Sequence, residues 1–152
     1  MADHIRNQIR DRTVVAVTSL TTTGANVFQS PVLTPEEQTI PALLVYIDSE
    51  VTGFDGSIMG GILDRQALLH IDGYVEASAT VLDTLDLISK EVEVSLATTG
   101  IVTAGGDSLV TEQELQSTDI EISSESARPL GVIRLAYLIN YRTAVGAPDV
   151  AV

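Results

Sequence analysis

The segment from Leu130 to Thr143 constrains this chain most. Ile133, Leu135, Tyr137, Ile139 and Tyr141 occupy every second position, with Arg134, Leu138, Asn140 and Arg142 between them. A period of two sends alternate side chains to opposite sides of an extended backbone, so the segment predicts a long strand with one apolar and one polar face. Gln66 to Ala77 repeats the pattern: Ala67, Leu69, Ile71 and Val75 point one way, and Gln66, His70, Asp72, Tyr74 and Glu76 the other. Two half-buried strands of this kind need a second layer against which to bury their apolar sides.

Helical periodicity supplies that layer. Ile5, Ile9, Ala16 and Leu20 fall on one stripe at about 100° per residue, with Asp3 as the expected N-cap and Thr21 to Gly24 as the end. A second helix is predicted from Thr80, whose spacing to Asp83 fits a capping box, to just before Gly100. Its core stripe is Val81, Leu85, Ile88, Val92 and Leu96. Asn26 to Gln29 reads as a short extended piece, and the prolines and paired acids from Ser30 to Glu37 as a surface loop. The unbroken apolar run from Pro41 to Ile47 suits a central strand covered on both faces. Thr98 to Asp107 is a Gly/Thr loop, Ser117 to Ser124 alternates around Ile120 and Ile122, and Ser123 to Pro129 is the expected hairpin turn. The predicted order is α-β-β-β-α-β-β. It describes a single α+β domain over residues 1–143, with a largely antiparallel sheet, two helices packed on one face, and a flexible tail over 144–152.

With 152 residues, 45% of them hydrophobic, the chain is long enough for one well-filled core. Without cysteine, that core depends on packing, and thiolate chemistry is excluded. No run of apolar residues is long enough for a membrane span, and residues 1–12 lack a signal-peptide apolar region, which predicts a soluble chain with no cleaved export signal. The 8 Lys and Arg against 21 Asp and Glu give a formal charge of −13, which argues against stable nucleic-acid binding. The charge is also segregated. Arg6, Arg10 and Arg12 lie near the start and Arg128, Arg134 and Arg142 near the end, whereas only Arg65 and Lys90 are basic between Glu36 and Glu125. If the two ends meet in the fold, the domain acquires a basic and an acidic side, an asymmetry that a head-to-tail ring can use.

No motif for catalysis or metal binding withstands inspection. Asp48, Glu50, Thr52 and Gly53 imitate the first half of a calcium loop, but the twelfth position, which needs a bidentate Glu, is Met59. Phosphate-loop and dinucleotide fingerprints are missing, and no G-x-S-x-G elbow accompanies His4 or His70. The expectation is a protein that is not an enzyme and has no metal or cofactor.

Residues that fit no simple core pattern are candidates for contact with a partner. Arg12 falls on the edge of the first apolar stripe and Val14 on its far side; the alternative for Arg12 is a stem laid over the core with its head in water. Leu87 and Val94 stand one heptad step apart on the polar face of the second helix, either as ordinary scattered exposure or as a paired ridge facing a partner. The segment from Glu50 to Asp64 carries Val51, Phe54, Ile58, Met59, Ile62 and Leu63 among four glycines. It reads as an apolar arm that either docks on a neighbouring subunit or folds back onto its own sheet.

In order along the chain, Ile5 to Arg12, Leu20 to Phe28, Pro41 to Tyr46, Gly73 to Val75, the acidic helix from Thr80, and Pro129 to Val132 continuing to Asn140 to Thr143 cover most of its length. Together they resemble the small tail terminator, or tail completion, proteins of long-tailed bacteriophages of the lambda type. The resemblance implies a virion protein, made in the host cytoplasm and placed at the tail-neck junction. Its implied form is a homohexameric ring that caps the tail tube, stops its polymerisation and offers a surface to the neck, with DNA passing through and no membrane contact. Acidic residues lining such a ring would repel that DNA. The arm from Val51 to Leu63 departs from the resemblance, being more apolar and richer in glycine than the charged loop implied there. This leaves open whether it meets a neighbour, the tube or the neck. A neck or head-tail adaptor ring is the alternative function, and a small hydrolase using His70 a remote one.

Overall fold

The computed structural model describes residues 2–32, 40–54, 61–123 and 128–152, with Phe54 described in its backbone alone. Elements follow as α1 (Ile5–Val17), β1 (Val27–Phe28), β2 (Ala42–Phe54), β3 (Ile62–Glu76), α2 (Val81–Thr99), β4 (Glu112–Ser123), β5 (Leu130–Ala144) and β6 (Ala147–Ala151). The six strands form one sheet in the order β1-β2-β3-β5-β4, with β6 also pairing β5. Every pairing is antiparallel except β1 with β2. The domain is α+β, with both helices on one face of the sheet.

The period-two residues meet row by row. Leu135 lies opposite Ile71, Tyr137 opposite Leu69 and Ile139 opposite Ala67, all buried beneath the helices. The α2 stripe Val81, Leu85, Ile88, Val92 and Leu96 is buried against them as expected, and Ile5 and Ile9 of α1 join the same core. Gly73 lets α2 come close: a Cβ there would stand 2.9 Å from Ile88 Cγ2 and 3.0 Å from Ile133 Cγ2.

The helix ends differ from expectation. His4 rather than Asp3 caps α1, its Nδ1 accepting from the Arg6 amide at 3.1 Å, while the Asp3 carboxylate accepts from Asn7 Nδ2 at 3.0 Å. Helix α1 stops at Val17 because the chain turns through Ser19 at φ 69°, so Leu20 leaves the helix and bridges Gly24. Thr80 precedes α2 without a side-chain cap bond.

The sheet differs in three places. Ala42 to Val45 are fully buried as predicted, but β3 is the central strand, because β1 borders only the first residues of β2. Residues 147–151, expected in a flexible tail, form β6, and Gln8 Nε2 donates to the Asp149 carbonyl at 3.1 Å. Much of the expected apolar arm lies within the sheet: Val51 pairs Gln66, Phe54 pairs Leu63, and Ile62 pairs Ala144 of β5. The physical reason is that β2 and β3 continue their ladder past the core, satisfying backbone groups that a free arm would leave to water.

Replacing Gly73 with Val should destabilise the domain by roughly 1–3 kcal/mol, since Ile88 or Ile133 must move to admit the side chain. Urea unfolding should show a lower midpoint at constant slope. An unchanged midpoint would show that α2 does not depend on this close approach.

Candidate subunit and partner surfaces

Leu87 and Val94, paired by sequence, stand together in one groove of about 540 Å³, 45% and 57% exposed respectively. Leu20 forms its opposite wall, with Thr21, Lys90 and Ser95 also lining it. The geometry comes from the turn after α1. Ser19 N donates to the Gly24 carbonyl at 2.8 Å, and Gly24 N to that of Leu20 at 2.8 Å. The Glu91 carboxylate then accepts from Thr22 N at 3.1 Å and Thr22 Oγ1 at 3.0 Å, and Ser95 Oγ donates to the Ala16 carbonyl. A half-buried leucine, placed by sequence within a helical stripe, is thereby held beside α2.

The remaining candidates separate. Val14 packs against the core, and Val15 is the exposed valine of α1. The reason is that Thr13 joins the buried stripe, its hydroxyl satisfied by the Ile9 carbonyl at 2.7 Å, which rotates the helix relative to the expected face. Arg12 lines a shallow depression with Gln8, Asp11, Val15, Thr103 and Leu109. Val51 is exposed at the far end of β2 and lines a different depression, with Asp64, Gln66 and Asn140. Ile62 is half-buried in β3. Ile58, Met59 and the Phe54 side chain lie outside the described residues.

The two chain ends meet, as the Gln8 contact with Asp149 shows, but their arginines do not form one side. Arg6, Arg10 and Arg12 ride on α1, whereas the alternation of β5 turns Arg134 and Arg142 to the sheet face away from the helices. Carboxylates dominate that face. Asp48, Asp64, Glu112, Glu114, Asp119 and Glu121 surround the two arginines, with Arg142 Nε 2.6 Å from Asp64 Oδ1 and Arg134 NH2 3.8 Å from Glu121 Oε2. Asp72, 2% exposed, is the one carboxylate among the described residues that is sunk into this face. Tyr46 Oη donates to its Oδ2 at 2.9 Å, Arg134 Nε lies 3.8 Å away, and its Oδ1 has no partner among the described residues. Burial pushes its carboxyl above the usual value despite the hydrogen bond from Tyr46 and the charge of Arg134. His70 stacks on Tyr46 with ring centroids 4.9 Å apart, and its Nε2 lies 2.9 Å from Asp48 Oδ1.

The imitation calcium loop is strand β2. A bulge between Ile47 and Ser49 leaves Asp48 on the open face and turns Glu50 under the helices, so the two carboxylates diverge. Among the described residues, no three His, Asp or Glu are placed to hold a metal ion. No helix among them is long and apolar enough to cross a membrane.

Sequence reasoning missed the ionic cluster around Glu50, whose side chain is 8% exposed. Arg65 NH1 lies 2.8 Å from Glu50 Oε1, Arg6 Nε lies 3.7 Å from Oε2, and Tyr141 Oη donates to Oε2. Arg65 Nε also donates to Thr143 Oγ1 at 2.9 Å. A signal was present: Arg65 shares the parity of Ala67, Leu69 and Ile71, so the alternation placed a guanidinium in the core-facing row. Burial alone would raise the Glu50 carboxyl, but the Tyr141 and Arg65 hydrogen bonds, with the charges of Arg6 and Arg65, hold it below its ordinary value.

A lowered folded-state value means that the Glu50 contribution is fully present above its unfolded value of about 4.5 and is lost as the pH falls through the folded value. Asp72 acts with the opposite sign, its share falling as the pH rises through its raised value. Glu50→Gln should therefore cost roughly 1–3 kcal/mol at pH 7. Its urea midpoint should converge on that of the unmodified protein in acid; parallel curves from pH 7 to pH 3 would remove Glu50 from the account.

No protein-family model and no curated protein matches this sequence. Among solved structures, the chain is similar to one described as "Virion of native gene transfer agent (GTA) particle", with 14% sequence identity, a TM-score of 0.40 and 90% of each chain covered.

Proposed function

We propose that the protein is a structural subunit of a phage virion, forming a hexameric ring of the tail terminator type that caps the tail tube, ends its growth and presents a joining surface to the neck. The observation that carries this function is the carboxylate-rich sheet face left uncovered by the helices, where Glu114 and Asp119 have no ion-pair partner among the described residues. Turned toward the lumen of a ring, that face repels a passing phosphate backbone and keeps DNA from sticking. The ordered resemblance from Ile5 to Thr143 supplies the family. The role assigned is assembly rather than catalysis.

Ring closure needs two different complementary patches on each subunit. One is the Leu20, Leu87 and Val94 groove, which Lys90 and Glu91 of α2 also line. The other is the outer side of α1, where Arg12 and the exposed Val15 share a depression. Docking the second on the first brings the Arg12 guanidinium toward the Glu91 carboxylate and removes the exposed half of Leu87 and Val94 from water, worth about 1 kcal/mol for each side chain.

Leu87→Asp with Val94→Asp should leave the fold intact and lower the assembly from hexamer toward monomer by light scattering, measured with and without tube protein. An unchanged mass would displace the contact from this groove. Added to polymerising tube protein, the unmodified chain should stop growth. Continued elongation with the chain bound at the tube end would favour the adaptor ring, and elongation without binding would reject both.

A further inference from the structure

The sheet ends on one side at β4, and among the described residues no strand borders its outer edge. In an antiparallel pair, alternate residues direct their N–H and C=O groups away from the partner, so the edge is a row of free donors and acceptors. After the bulge between Leu115 and Ser117, this edge runs from Ser117 to Ser123 without proline, glycine or lysine. Its two sides differ in chemistry. Asp119 and Glu121 face the acidic side of the sheet, joined by Glu114 before the bulge, and Thr118, Ile120 and Ile122 face the helix side. Helix α2 packs over β3 and β5, with Val81 and Leu85 lying above Gly131, the β5 partner of Ile122, and Ile120 and Ile122 remain 45% and 47% exposed.

The inner edge of β4 already shows what such a strand accepts. Asp119 lies opposite Arg134, whose guanidinium also reaches Glu121, and Ile120 lies opposite Ile133, so the neighbour it already has sets a cation in the acidic row and an apolar side chain in the other. We infer that the outer edge of β4 is a strand-addition site for an extended segment of another protein in which basic and apolar residues alternate. A second copy of this chain does not fit. Pairing β4 with β4 sets carboxylate against carboxylate, and the free outer half of β2 brings Asp48 to the same side. The chain's own arginines sit on α1, within β3 and β5, which are already paired on both sides, or at Arg128 just ahead of β5, whose Nε lies 3.1 Å from Glu76 Oε1. The carboxylates thus block self-pairing along an apolar edge and admit a cationic partner. This site is separate from the groove on α2 and does not depend on ring formation.

The test titrates the full chain against fluorescein-labelled peptides of about ten residues, read by anisotropy. One alternates Arg and Val, and a second has the same composition with its Arg residues blocked at one end. The alternating peptide should bind about tenfold tighter, lose binding when N-methylated along its pairing edge, and protect the amides of residues 117–123 from hydrogen exchange. Glu114→Lys with Asp119→Lys should weaken binding about tenfold, with the fold verified by circular dichroism. Equal binding of the two basic peptides would reduce the effect to net charge and overturn the inference, as would protection elsewhere in the chain, no binding by either peptide, or protection of 117–123 that rises with protein concentration alone.

Discussion

Residues Ile62 to Glu76 pair with Ala144 to Leu130 in an antiparallel register without a shift, and this ladder places nearly everything else. It aligns the apolar row of β3 with that of β5 into one surface wide enough for two helices, and the bare Cα of Gly73 in that surface lets Ile88 of α2 close onto it. A slip by one residue would exchange the rows, sending Leu135, Tyr137 and Ile139 to the acidic side and Arg134 and Arg142 into the core. The same pairing that builds the core therefore also collects the carboxylates on the opposite face.

Charge is handled differently on the two sides. On the open face, Arg134 and Arg142 hold only part of the acidic population, and what remains makes a negative surface. Under the helices the Glu50 carboxylate is enclosed by Arg65, Arg6 and Tyr141, each contributing a hydrogen bond or a charge. A buried ionic group is tolerated only when so surrounded, because removal of one partner leaves a desolvated charge uncompensated. This cluster joins the N-terminal turn of α1 to the far ends of β2, β3 and β5, where the apolar core has run out.

Sheet pairing and helix stripes were legible wherever a period persisted over several residues. The buried set Val81, Leu85, Ile88, Val92 and Leu96 agreed position by position, as did the two faces of β5. Errors gathered where a single residue decides. Thr13, polar but bonded to the Ile9 carbonyl, shifted the buried face of α1, so that Val14 packs against the core and Val15 is exposed. Strand β6 carries no apolar alternation strong enough to announce it, and it exists because β5 extends beyond β4 and offers an edge. That Leu87 and Val94 share one groove was legible because a heptad step holds them on one side of a helix, but the place of Leu20 in its wall was not, since it depends on the turn at Ser19.

Local periodicity and composition by themselves determined an acidic, cysteine-free α+β domain, its two helices, its longest strands and the stripes they bury, because each of these depends on residues near one another in the chain. The tertiary structure alone decided which strand is central, where the arginines of the two chain ends come to rest, which side of β4 is free, and that Glu50 is enclosed rather than exposed. Those outcomes depend on pairings between residues as distant as Glu50 and Tyr141, and a one-dimensional period carries no information about which strands become neighbours.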